Sequence, residues 1–499
     1  MLPQDLFIEC SDVLLPYITT VFNQSMSSGV FPSDFKNSLV IPLLKKPSLD
    51  CNVLKNYRPV TNLSFISKVF ERIIFDQLIQ HISKNKLIEN FQSAYKAGHS
   101  TETALLRVAN DMLCSIDDGN ISVLTMLDLS AAFDTIDHKI LLDRLYYTFG
   151  IQENALKLIR TYLHDRYQKI KINNSYSKDL PVSFGVPQGS VLGPLLFTMY
   201  IFPIKNVIDK DIFHYHLYAD DTQLYSAYKP NNITEAVFDI SNGTKKINNW
   251  MTENKLKMNA DKTEIMICGS VQKLNNVNLD SIVIDDDAIS ISESVRNLGF
   301  YLDKNFNLNA HISNLRKICY YEIRKISHIR PHLNEKCTIQ LVVSLVLSKL
   351  DYCNCLFYNM SKHNFHQLQL VQNHAARIVK KAHKRDSATS ILFTLHWLPI
   401  KQRVSYKIAL IVFKCLNNDD FPVYLKELIT IYTPSRTLRS SDKFLLKKPI
   451  MKLLTFGQKS FSFAAPEVWN SLPFEIRSCN NFNIFKKKLK THFFRIAYY

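Results

Sequence analysis

Three aspartates have the side chains and spacing for divalent-metal chemistry. Asp220 and Asp221 are adjacent in "FHYHLYADDTQLYSAY". Apolar and aromatic residues alternate up to them and a β-like run resumes after them, so the stretch reads as a hairpin with two carboxylates at its tip. Adjacent acids repel, and solvent alone could offset that cost, so a lone Asp-Asp pair is more often a solvated turn than a metal site. The third acid shifts that balance. In "ISVLTMLDLSAAFDTIDH" the apolar run Val123–Leu127 stops at Asp128, as a strand buried on both faces does where it surfaces. Two buried neighbouring strands that each deliver a carboxylate make a site for hard cations. Magnesium takes oxygen from one or two carboxylates plus substrate phosphates.

The elements that must position these acids follow in chain order. Residues 1–29 show helical periodicity in Leu14, Ile18, Val21 and Phe22. "FPSDFKNSLVIPLLKK" turns into a strand ending at Lys45 and Lys46, and "NYRPVTNLSFISKVFERIIFDQLIQHI" gives a second strand and a long amphipathic helix. "NFQSAYKAGHSTETALLRVANDML" is a loop and a helix. After Asp128 a helix starts at about His138, with Asp134 and Asp137 placed to cap or orient it. Three of the eleven glycines, Gly185, Gly189 and Gly193, fall in "SFGVPQGSVLGPLLF". Gly189 there allows close backbone approach, and a helix starting near Ser190 would point its N-terminus at whatever binds. "NWMTENKLKMNADKTEIMICG" reads as helix, turn and strand, and carries Lys262. Beyond the hairpin-like "VRNLGFYLDKNFNLNAHI" come three helical patterns that are basic on their outer faces.

"LDLSAAFDTIDH", "FGVPQGSVLGPLLF", "YADD" and "LKMNADKTEIM" follow one another as the palm motifs of reverse transcriptases do. The flanking sequence resembles the LINE-type (non-LTR) retrotransposon branch and its jockey-like mobile-element polymerases, from about residue 15 to the C-terminus. Any one motif is weak; the ordered set is specific.

The resemblance implies an α+β right-hand polymerase fold with fingers, a palm built on an antiparallel sheet with packed helices, a helical thumb, and a basic C-terminal extension. It divides the chain into a helical lead-in (1–29), fingers (30–120), palm (121–294), a primer-grip-like hairpin (295–312), thumb (313–400) and extension (401–499). It implies RNA-templated DNA synthesis, with Asp128, Asp220 and Asp221 holding two Mg²⁺ ions, for which Mn²⁺ could substitute, and Lys262 acting near the leaving pyrophosphate. Arg58, Lys96, Leu129, Phe133, Gln188 and Gly189 would meet the incoming nucleotide, and Phe133 would exclude a ribose 2′-hydroxyl. Lys96 departs from the arginine usual in relatives, keeping the charge and losing the bidentate fork. Tyr218, Ala219, Leu298 and Gly299 would contact nucleic acid. Each of these residues also has a plain reading: core for Phe133, surface charge for Arg58 and Lys262, an N-cap for Ser190.

Charge is divided unevenly. Residues 300–499 carry 32 Lys and Arg against 11 Asp and Glu, net +21; residues 1–299 carry 29 against 33, net −4. A bias so one-sided points to a polyanion, in keeping with an RNA template, a DNA primer or nicked target DNA, and dNTPs. "SRTLRSS" with "LLKKPIMK" reads as a nucleic-acid-contacting patch; residues 1–300 have apolar strands that pack on one another without the basic part, with aggregation the risk of losing the thumb contacts. The ten cysteines lack finger spacing and read as reduced core thiols of an intracellular, nuclear or cytoplasmic protein. No signal segment or membrane span is evident, and "TIQLVVSLVLSKLDYCNCLF" reads as a buried helix. Nothing here resembles the endonuclease usual ahead of such polymerases. Two rivals remain: an RNA-dependent RNA polymerase, against which Phe133 and "YADD" speak, and an element-derived RNA- or DNA-binding protein without turnover.

Overall fold

A computed structural model describes residues 4–87, 89–285, 287–433 and 444–499. Strands β1 (Ser38–Leu44) and β2 (Tyr57–Asn62) pair antiparallel, and the helix Phe65–Lys84 follows, N-capped by Ser64. The helix Thr101–Asp117 carries a reciprocal capping box between Ser100 and Thr103. It leads into β3 (Ile121–Leu127) and the two-residue β4 (Leu129–Ser130). Then come the helices His138–Tyr147 and Glu153–Leu163. β5 (Arg166–Ile172) runs parallel to β1 and carries the short β6 (Ser175–Tyr176) and β7 (Leu180–Val182). After the helix Gly193–Ile201 come β8 (His214–Tyr218), β9 (Asp221–Tyr228) and the helix Ile233–Glu253. β10 (Lys257–Met258), β11 (Glu264–Cys268) and two hairpins, β12 (Ser281–Ile284) with β13 (Asp287–Ser290) and β14 (Ser294–Asn297) with β15 (Phe300–Asp303), complete the strands. The rest is helical, including Asn309–Ile329, Lys362–Lys380, Ile400–Asn417 and Phe482–Tyr498.

The sheet that matters is antiparallel, in the order β11-β3-β9-β8. Strand alternation splits its side chains between two cores. Val123, Leu127, Ile265, Ile267 and Leu224 join a core made with the helices Phe65–Lys84, His138–Tyr147, Gly193–Ile201 and Ile233–Glu253. Leu124, Met266, Cys268 and Tyr225 join the other core, with Thr101–Asp117 and the helices beyond residue 308. β3 is therefore buried on both faces, as its apolar run requires.

The second core ties the C-terminal segments to the sheet. Residues of the 313–400 and 401–499 segments, from Ile323 to Trp469 and Phe485, share that core with the sheet. Asp117, at the end of its helix, accepts from the amides of Lys452 (2.9 Å) and Leu453 (2.6 Å), and Asn110 from that of Ser462 (2.9 Å). The basic part completes the core that the helix Thr101–Asp117 begins on this face of the sheet. "LLKKPIMK" runs along this interface through Lys452, whereas "SRTLRSS" lies outside the described residues. The apolar stretch around Leu345 is interrupted by a π-helical turn, Val343–Leu347, and among the described residues no helix is long and apolar enough to cross a membrane. All ten cysteines are unpaired.

A chain cut after Asp303 would keep the helix Thr101–Asp117 on the sheet but strip away the C-terminal helices that share its core, so it should lose cooperative thermal melting and aggregate. Circular dichroism and gel filtration check this; a monomer with a sharp melt would return the C-terminal part to an appended role.

Candidate active site

The three acids come together because β3 and β9 pair with Leu127 opposite Thr222. Asp128, one residue past β3, therefore stands beside Asp221, the first residue of β9. Asp221 in turn pairs with Tyr218 of β8 across a two-residue turn made by Ala219 and Asp220. Ala219 holds a left-handed φ of 55°, which costs a residue with a Cβ roughly 1 kcal/mol, so something must hold the turn. The buried Gln92 does: its Oε1 accepts from the Ala219 amide at 3.1 Å and from the Ala94 amide at 3.0 Å. Residues 91–93 run beside β8, with Leu217 N donating to Phe91 O (2.8 Å) and Ser93 N to Leu217 O (3.0 Å).

Asp128 is fixed from the other side. Its carbonyl accepts from Asn259 N (2.9 Å), and Leu129 pairs with Met258 in the β4–β10 ladder. The ladder brings Lys262, in the 3₁₀ turn Ala260–Lys262, to within 2.7 Å of Asp128 Oδ2 through Nζ. Burial pushes the Asp220 carboxyl up, and so does Asp128, while Lys262 and Arg58 pull it back. Burial, Asp220 and Asp128 push Asp221 up to about 6. These carboxylates carry charge they cannot compensate.

That donor chemistry fits a hard divalent cation, which favours carboxylate oxygens and would relieve this repulsion. Among the described residues, however, no three acidic, histidine or cysteine side chains are gathered closely enough to hold an ion by themselves. An ion here takes part of its coordination from other oxygens, as Mg²⁺ commonly does with phosphates. Next to Asp128 and Asp221 opens a cavity of 450 Å³, also lined by Lys46, Arg296 and Leu298.

The other expected residues divide. Tyr218 and Ala219 belong to the turn itself. Leu298 reaches the cavity, and with Gly299 forms the β14–β15 turn, whose Leu298 carbonyl accepts from Tyr352 OH. Arg58, opposite Leu43 on β2, lies close enough to act on Asp220. Phe133 is half-buried, with its ring stacked on Phe197 at 4.8 Å. Gln188 donates from Nε2 to Asp134 Oδ2 (2.7 Å), so Asp134 orients Gln188 and only Asp137 caps the helix, accepting from the amides of Lys139 and Ile140. Of the paired lysines, Lys46 lines the cavity and Lys45 donates to Lys55 O. Lys96 turns away: Nζ donates to Glu89 O (3.2 Å), and burial lowers its pKa to about 8.

The glycine-rich segment departs from expectation in two ways. Its helix begins at Gly193 rather than near Ser190, and Ser190 caps it internally, Oγ accepting from Gly193 N (3.0 Å). The free amides ahead of that helix, Val191 and Leu192, donate to Glu71 Oε2 at 2.7 and 3.1 Å. The helix end is thus met by a fully buried carboxylate of the protein itself. Gly189 (φ 113°) makes its close approach to protein: a Cβ there would sit 2.7 Å from Thr61 O.

Sequence reasoning missed Glu71, Gln92 and Arg296. Glu71 had a signal, since it lies on the buried stripe Ser67–Phe70–Ile74–Leu78 of its helix, where a carboxylate must find donors. Gln92 had none.

Residues 44–302 match the family described as "Reverse transcriptase (RNA-dependent DNA polymerase)". The chain is similar to a probable RNA-directed DNA polymerase from transposon BS of Drosophila melanogaster (26% identity over 78% of this chain and 43% of that protein). It is also similar to the RNA-directed DNA polymerase from mobile element jockey of the same fly (25%, 74% and 40%). The chain thus spans about two fifths of the length of these relatives. Among solved structures, apo telomerase from Candida tropicalis aligns over 79% of this chain and 67% of that one at 10% identity, with a TM-score of 0.40, too low to build on.

Asp221 generates a pH test. Between the ordinary carboxyl value near 4 and about 6 the folded state holds a proton that the unfolded state has lost, so stability without divalent ions should fall as pH rises through that window. Asp221→Asn should flatten the fall and raise stability at pH 7 by roughly 1–2 kcal/mol, since each unit is worth about 1.4 kcal/mol before solvent screening. Thermal melts from pH 4 to 7 in a chelator decide; a destabilised Asn variant at pH 7 would mean the carboxylate is well compensated.

Proposed function

The chain belongs to the reverse transcriptase (RNA-dependent DNA polymerase) family, and we propose that it extends a primer 3′-hydroxyl with dNTPs on an RNA template, as the polymerase of a non-LTR retrotransposon. The observation that carries this is the carboxylate cluster at the tips of two paired, largely buried strands, with a cation beside it. Its α+β fold is the right-hand polymerase fold, in which β11-β3-β9-β8 is read as palm, the β1–β2–β5 layer as fingers and the helices beyond residue 308 as thumb.

Asp128, Asp220 and Asp221 would hold two Mg²⁺ ions, whose chemistry when bound is to activate the attacking hydroxyl and steady the leaving pyrophosphate. The protein's own residues supply position. Arg58 and Lys46 bring positive charge to the triphosphate side of the acids, and Gln188, held by Asp134, presents a fixed amide to the nucleotide. Phe133 cannot swing freely while stacked on Phe197, which suits a ring that rejects the 2′-hydroxyl. Lys262, 61% exposed, is free to leave Asp128 and deliver a proton to the leaving group. The net +21 of residues 300–499 supports a grip on template and primer through phosphates. Such a protein works inside the cell, in nucleus or cytoplasm.

Asp220→Asn should abolish primer extension while leaving primer–template affinity nearly intact, because the acid serves the reacting phosphate and not the duplex; equal loss of both would make it structural. Phe133→Ala should raise the ratio of rNTP to dNTP incorporation at least tenfold, the order expected of one steric contact, and an unchanged ratio would leave Phe133 as core. An enzyme that prefers NTPs at the outset would point to RNA synthesis instead.

A further inference from the structure

The residues that hold the catalytic turn are themselves held by a segment far outside the matched region. Gln92 fixes Ala219, and its neighbours Phe91 and Ser93 hydrogen-bond along β8. Against the back of this strap lies Tyr424, 1% exposed, from the short helix Val423–Lys426. Its ring stacks on Phe91 (6.2 Å, 19°) and meets His216 of β8 edge-on (4.9 Å, 88°).

The hydroxyl of Tyr424 sits in the middle of a buried chain of hydrogen bonds whose directions can be worked out. Thr103 Oγ1 donates to Ser100 O (2.9 Å), so it accepts from Tyr424 OH at 3.0 Å. That spends the only hydroxyl proton of Tyr424, so the 2.7 Å contact with Ser93 Oγ has Ser93 as donor. Ser93 must then accept from His216 Nε2 (2.8 Å), which fixes the tautomer protonated on Nε2 and leaves Nδ1 without a partner. All donors run one way, from β8 through the strap to the helix Thr101–Asp117, so each bond polarises the next. Arg107 locks the same segment from outside, donating to Tyr424 O at 2.7 Å while paired with Asp111 and Glu427. The fit is close: Gly98 (φ 73°) lies so near that a Cβ there would sit 2.6 Å from Asp420 O.

We infer that Tyr424 is a positioning residue of the active site: the segment around residues 418–427, outside the family-matched region, completes the catalytic centre by fixing the strap that fixes the Ala219–Asp220 turn. This rests on the polymerase reading only for its activity arm. Tyr424→Phe keeps the ring packing and removes the central link, leaving the Ser93 hydroxyl without its Tyr424 acceptor and Thr103 Oγ1 with only the Ser100 amide as donor. Because misplacement of reacting groups by about an ångström costs on the order of 10²-fold, kcat should fall at least tenfold. KM for dNTP and primer–template affinity should change less than threefold.

Two further measurements keep the inference open to refutation. Hydrogen exchange of the 216–221 peptide should quicken in Tyr424→Phe while that of 121–127 stays unchanged, whether or not the protein extends primers. Gly98→Ala, which pushes Asp420 off the strap without touching Tyr424, should reproduce both effects. If the wild-type protein makes no DNA, the polymerase reading fails and the exchange data still decide this one. Unchanged exchange at 216–221, or activity lost only in proportion to unfolded protein in a melt, overturns it.

Discussion

Leu127 opposite Thr222 is the pairing on which the site depends. It puts Asp128 and Asp221 side by side, and a slip of one residue would send every side chain of the strand to the opposite face. Slippage is blocked because both faces of β3 are committed: Val123 and Leu127 to one core, Leu124 to the other. Burial first, and the neighbouring Asp220 and Asp128 after it, push the Asp221 carboxyl up, and packing on both faces is what makes the strand able to bear the crowding. A sheet with one solvated face could relax by sliding or fraying at the tip; this one cannot without opening a core.

That requirement gives the residues past the hairpin Ser294–Asp303 a packing role. A four-stranded antiparallel sheet with one bare face would bury β3 only by half. The helix Thr101–Asp117 and the helices beyond residue 308 supply the second face together, and polar anchors tie them to each other: Asn110, Arg107 and Asp117 each reach into the C-terminal part. The basic charge of that part and its packing role are carried by different surfaces. Phe485, Leu489 and Phe493 face the core from the helix Phe482–Tyr498, leaving its lysines on the other side.

The strands, the helix from His138 and the three-acid cluster were legible in the sequence because each is announced locally: an apolar run stopping at Asp128, alternation into Tyr218, an aspartate ahead of a helix. What the sequence could not announce were contacts that close over long separations with ordinary residues. Gln92 looks like any loop glutamine, and its role exists only once 91–93 lies against β8. Tyr424 reads as one tyrosine among twenty-three. The glycine segment was legible in part: Gly189 does allow close approach, and the group that the structure brings against it is the Thr61 carbonyl, which no local pattern announces. Lys96 misled because a loop lysine is expected outside, and burial beside Glu89 took it in.

The cations around the acids are arranged unequally, and this sets what each can do. Lys262 touches Asp128 but is 61% exposed, so water screens the pair and little binding energy holds it in place. Arg58 and Lys262 act on Asp220 from a distance, and Asp221 has Lys262 alone against two carboxylates and burial. Asp128 is thus provisionally paired, while Asp221 is left wanting a positive charge. A site whose like charges were satisfied by fixed arginine forks would be more stable and closed to an incoming cation. Here the backbone that holds the acids is rigid, braced by Gln92 and both cores, while the one bonded countercharge is mobile. Fixed anions with a removable cation are the electrostatic condition for a centre that exchanges ions and phosphates during turnover.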